Sequence, residues 1–100
     1  MIKSYNKFYK EKRKICEILI NKYKSKQVVV AIEELSELAK ELCKHLRNVS
    51  GEVSNKKAII EEIADVEFML YQMKLYFDIN QDDIDNEIQF KMDRTRERLL

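Results

Sequence analysis

The chain has 100 residues, a single Gly, no Pro, 37% charged residues and a formal net charge of +1. That length holds one hydrophobic core, and so few helix breakers among many Glu, Lys, Leu and Ile residues point to one all-α domain over residues 1–100 rather than a β-rich or collagen-like protein. No apolar run approaches the ~20 residues that span a bilayer, and the start has no signal-peptide pattern, so a cytoplasmic protein without a membrane partner is expected.

The first helix is expected from about Ser4 to Tyr23, where Tyr5, Phe8, Ile15, Cys16 and Leu19 recur at helical steps. Its cations Lys3, Lys7, Lys10, Lys12, Arg13 and Lys14 face only Glu11 in sequence. They are not interleaved with exposed aromatics, and the chain is near neutral overall, so they read as solvated surface rather than a nucleic-acid interface. Ser25 is an expected N-cap for the second helix, whose stripe is Val28, Ile32, Leu35, Ala39, Leu42 and Leu46. Asn48 to Asn55, with the only Gly, is the expected loop. The third helix carries Ile59, Ile63, Val66, Leu70, Met73 and Phe77, and Asp78 to Gln81 forms a short turn. Asn80 caps a fourth helix marked by Ile84, Ile88, Met92, Thr95 and Leu99. Cys16 and Cys43 lack metal-type spacing and fall on apolar stripes, so both are expected to be reduced core thiols.

Short connections between long amphipathic helices predict an antiparallel four-helix bundle. Val29, Val30, Ala31 and Leu38 on the second helix, with Ala58, Ile60 and Met69 on the third, add apolar surface outside the main stripes. Helices apolar on two sides need more cover than one short chain supplies. A homodimer or homotetramer is therefore expected.

Two carboxylate pairs stand out. Glu34/Glu37 and Glu62/Asp65 each have i, i+3 spacing, so each pair shares a helix face. At about 100° per residue, they fall on flanks beside the apolar stripes, with Gln27, Ala31, Leu38 and Glu41 on one helix and Ala58, Met69, Gln72 and Tyr76 on the other. Neither flank contains Lys or Arg. An isolated ExxE or ExxD is commonly a solvated face, but two such pairs on adjacent helices bring like charges together. Divalent cations relieve that repulsion, and an all-oxygen donor set suits Mg²⁺, with Mn²⁺ as a substitute. A ferritin-like di-iron site needs Glu-x-x-His on two helices, and the only histidine, His45, follows neither pair at that spacing. Lys91, Arg94 and Arg98 share one face of the fourth helix, where they suit phosphate oxygens and also the dipole of a helix C-terminus. Gln27, two turns before Glu34 on its flank, is a candidate for sugar or base contact, as is Tyr76, although polar packing is the stronger reading for Gln27.

With Glu33-Glu34-x-x-Glu37 followed by Glu62-x-x-Asp65, the sequence resembles the all-α nucleoside triphosphate pyrophosphohydrolases of the MazG-like superfamily. The similarity runs from Gln27 to Leu100, through "QVVVAIEELSELAKEL", "EEIADVEFMLYQMK" and "KMDRTRERL". The resemblance implies that Glu34, Glu37, Glu62 and Asp65 hold Mg²⁺, that Glu33 supports them or joins them, and that Lys91 and Arg94 face phosphates. It implies hydrolysis of the α–β phosphoanhydride of a nucleoside triphosphate, with Glu34 or Glu37 accepting a proton from the attacking water. The Lys-x-Gly of the phosphoribosyl-ATP branch is missing before the paired Glu. The alternative is a helical interaction or regulatory module without catalysis, which would have no use for the full carboxylate set.

Overall fold

The computed structural model describes the backbone of residues 2–47 and 55–100, with side chains from residue 6 onward. Four α-helices follow in order: α1 (Ile2–Tyr23), α2 (Lys26–Arg47), α3 (Lys56–Tyr76) and α4 (Gln81–Leu99). They agree closely with the expected spans, and no strand occurs among the described residues. The loop expected over 48–55 lies outside them except for Asn55, and so does the side chain of Tyr5.

The turns have local causes. Between α1 and α2 the chain reverses at Lys24, which takes a positive φ of 53°, and α2 begins directly after Ser25. At the end of α3, Ile79 N–H donates to the Lys74 carbonyl at 2.8 Å and Asp78 N–H to that of Leu75 at 3.3 Å. With Asp78 at φ 53°, this is a Schellman termination without glycine, tolerable because Asp enters the left-handed region more readily than most residues. Asn80 then caps α4 as expected, its Oδ1 accepting from Asp82 N–H at 2.9 Å, while Asp82 and Asp83 favour the positive end of the helix dipole.

Helices α1, α2 and α3 pack on one another, most extensively α2 on α3, whereas α4 touches them only marginally. Gln27 meets Gln72 at one end of the α2/α3 contact and Glu41 meets Asn55 at the other, so these two helices are antiparallel. Helix α1 leans on α3 through its aromatic side, where Lys12 Nζ lies 4.7 Å from the Tyr71 ring centroid.

The buried face differs from the apolar stripe. Between α2 and α3 the buried residues are Gln27, Ala31, Met69 and Gln72, from the flanks that also carry the carboxylates, together with Val66 from the expected stripe. Of the expected stripe, Ile32, Leu35, Leu42 and Leu46 on α2 and Ile63, Leu70 and Phe77 on α3 are exposed. The two stripes are rotated in the same sense from the buried faces of antiparallel helices, so both emerge on one side of the pair. Ala31 suits the buried face: a small side chain lets the backbones approach, and Gln27 and Gln72 hydrogen-bond to each other beside it. Cys16 is fully buried, but Cys43 is exposed, because it lies on the side of α2 turned away from α3.

The chain is consequently open. Its accessible surface is 8536 Å², against about 6,000 Å² for a compact monomer of this mass. Its radius of gyration is 16.9 Å, against about 13 Å for a compact domain of this length.

Candidate metal centre

Helix α2 contributes Glu34 and α3 contributes Glu62 and Asp65 to one cluster, whose carboxylate oxygens lie within 4.8 Å of one another. The i, i+3 spacing places Glu62 and Asp65 on the α3 face that meets α2, and antiparallel packing sets Glu34 across from them. Glu34 and Glu62 are half-buried and Asp65 is exposed, so the cluster sits at the edge of the interface.

No cation compensates these charges among the described residues. Burial pushes the Glu34 carboxyl above its ordinary range, and the charges of Asp65 and Glu62, a hydrogen bond with Asp65 and the charge of Glu37 push it further. Burial also raises Glu62, followed by the charges of Asp65, Glu37, Glu41 and Glu61. Glu62 Oε2 is buried with no hydrogen-bond partner among the described residues. Leaving a carboxylate oxygen in that condition is costly, and a bound cation would satisfy it. The donors are all oxygen, a set that fits Mg²⁺ or Mn²⁺ and not a soft metal.

Glu37, one turn further along α2, is exposed and lies outside the three-residue cluster, yet its charge reaches both Glu34 and Glu62. Glu33 is exposed. Gln27 is buried, and its Nε2 donates to Gln72 Oε1 at 2.8 Å. Tyr76 is half-buried, packed edge-to-face on Phe77 at 4.9 Å between ring centroids. Lys91, Arg94 and Arg98 are exposed on α4, and none of the described ion pairs links them to the cluster. The Arg94 guanidinium lies 5.8 Å from the Phe90 ring centroid. One chain therefore assembles the carboxylates and leaves the candidate phosphate-binding cations apart from them.

Three residues beside the cluster escaped selection from sequence. Glu41 accepts from Lys44 Nζ and from Asn55 Nδ2, both at 3.0 Å, and these hydrogen bonds hold its carboxyl below the usual range. Asn55 Nδ2 also donates to the Glu41 backbone carbonyl at 2.9 Å, tying the start of α3 to α2. Gln72 is the buried partner of Gln27. The available signal was the matching seven-residue step from Gln27 to Glu34 and from Asp65 to Gln72.

No known protein family, curated protein or solved structure matches the chain.

Proposed function

We propose that the protein is a Mg²⁺-dependent hydrolase of nucleoside triphosphates, ribo or deoxyribo, that releases the monophosphate and pyrophosphate as nucleotide-pool housecleaning in the cytoplasm. The observation that carries this reading is the meeting of Glu34, from the first half of the motif, with Glu62 and Asp65, from the second, in an all-oxygen cluster without a compensating cation among the described residues. The resemblance of that motif to MazG-like pyrophosphohydrolases supplies the reaction.

Glu34, Glu62 and Asp65, with Glu37 beside them, would hold the metal. A bound divalent cation supplies charge neutralisation at phosphate oxygens and lowers the pKa of a bound water. In this reading Glu34 or Glu37 would accept the proton of the attacking water. Lys91, Arg94 and Arg98 would hold the triphosphate through charge-assisted hydrogen bonds to its phosphate oxygens.

A second copy of the chain completes the architecture in this reading. The exposed stripes of α2 and α3 are the surface it would cover, and α4, which barely touches its own chain, is the element that can join a neighbour. A homodimer or homotetramer built this way would turn three packed helices and a solitary one into a four-helix bundle. The same exposed face favours the competing reading, an interaction module without catalysis.

Incubating purified protein with a panel of nucleoside triphosphates, with and without Mg²⁺, and detecting pyrophosphate separates the two. Release of pyrophosphate and monophosphate only with Mg²⁺ supports the hydrolase. Silence across the panel leaves the interaction module.

A further inference from the structure

Outside the carboxylates, the most unusual feature of the α2/α3 contact is its polar hardware. Gln72 is 0% exposed, and Gln27 is buried opposite it, their amides joined at 2.8 Å. Gln72 accepts from Gln27 through Oε1, and its own Nε2 donates only to Met69 Sδ at 3.4 Å and, at the long distance of 3.5 Å, to the Phe68 carbonyl. A buried amide so placed adds little stability over a methionine of similar shape. Its value lies in direction, because only one alignment of the two helices satisfies it.

That alignment is the one the carboxylates need. Gln27 lies seven residues before Glu34, and Gln72 lies seven after Asp65, two turns on each antiparallel helix. The apolar remainder of the contact, Ala31, Leu38, Val66 and Met69, has no comparable directionality. A slip of one heptad, about 10 Å, would bring the same helix faces together again. In one direction it would set Gln72 opposite Glu34, and in the other Gln27 opposite Asp65. Either way a buried amide loses its partner and the cluster is dispersed. At the far end of the contact, Asn55 grips both the carbonyl and the carboxylate of Glu41. The carboxylates thus lie between two directional contacts.

We infer that Gln27 and Gln72 are positioning residues whose hydrogen bond fixes the register of α2 on α3 and thereby aligns Glu34 with Glu62 and Asp65. The inference rests on the metal-site reading for its consequence, but not for its geometry. The comparison that tests it is Gln27→Met with Gln72→Met in one protein, which removes both partners together and leaves no orphaned amide. Two quantities are measured beside unfolding temperature: Mn²⁺ affinity by calorimetry, and the distance between spin labels on exposed Cys43 and on a Glu67→Cys substitution, diluted with unlabelled protein.

The expected result is a melting temperature equal to or above wild type, Mn²⁺ affinity weaker on the order of tenfold or more, and a label distance that broadens into more than one population. Unchanged Mn²⁺ affinity with a single unchanged distance overturns the inference. So does a double variant that fails to fold, since that would make the pair a source of stability rather than of register. If wild type itself binds no Mn²⁺, the metal reading fails separately, and the label distance alone decides: broadening upholds the register role and an unchanged distance overturns it.

Discussion

Helices α2 and α3 bury glutamines and half-bury glutamates against each other, whereas α4 buries no residue and turns its apolar and basic side chains outward. The two regions respond oppositely to the same hydrophobic logic. In the α2/α3 pair, small and polar residues take the inside and the strong apolar stripes are left outside. In α4, Ile88, Met92 and Leu99 form a stripe that remains exposed. The difference shows one chain bringing the carboxylates together while apolar side chains of α2, α3 and α4 stay exposed.

The largest expected effect comes from attacking the exposed side of the pair. Leu35→Asp with Leu42→Asp places two charges on the exposed stripe of α2. Removing two leucines from an interface should weaken association by about 3–6 kcal/mol. Sedimentation at micromolar concentration should then show a dimer or tetramer for wild type and a monomer for the variant. A monomeric wild type would break the comparison at its root.

Next is the inside of the pair. Asp65→Asn and Glu37→Gln keep the side-chain shape and remove charge, so circular dichroism should stay helical while Mg²⁺-dependent turnover falls on the order of 10²–10³-fold. Full turnover in both variants would remove the carboxylates from the chemistry. A smaller effect is expected from α4: Arg94→Ala should weaken every nucleotide substrate alike, by about 1.5–3 kcal/mol in kcat/KM, as a lost charge-assisted contact. A change in base preference without loss of phosphate binding would contradict the role given to α4.

Smallest is the dependence of stability on pH. Glu34 and Glu62 are held above the ordinary carboxylate range in the folded chain, by burial first and neighbouring charges second. As pH rises past the unfolded value of about 4.3, the unfolded chain releases these protons before the folded one does. Metal-free protein should therefore retain this contribution below that pH and lose it as pH rises through the raised values. Thermal melts from about pH 4 to about pH 7 should show the loss, and Mg²⁺ should restore stability most at the upper end, where protons no longer compete.

Much of this was legible in the sequence. Helical periodicity placed all four helices, Asn80 announced the start of α4, and the i, i+3 acids pointed to a shared face before any packing was known. Periodicity was misleading about which face the chain buries. An apolar stripe marks surface that favours burial without saying against what, and here Ala31 and the Gln27–Gln72 bond decide the intrachain contact instead. Cys43 was misplaced for the same reason. Asn55 and Glu41 were invisible as a pair because their contact crosses from one helix to the start of another, a relation that spacing along a single helix cannot carry.

The central claim is that Glu34, Glu62 and Asp65 form a divalent-cation site across two helices. Calorimetric titration of Mn²⁺ into wild type and into Glu62→Gln tests it most directly, since the substitution removes the charge of the carboxylate whose buried oxygen lacks a partner. Saturable binding to wild type that is abolished in Glu62→Gln is the expected result. Absence of binding to wild type, or equal binding to both, would contradict the account.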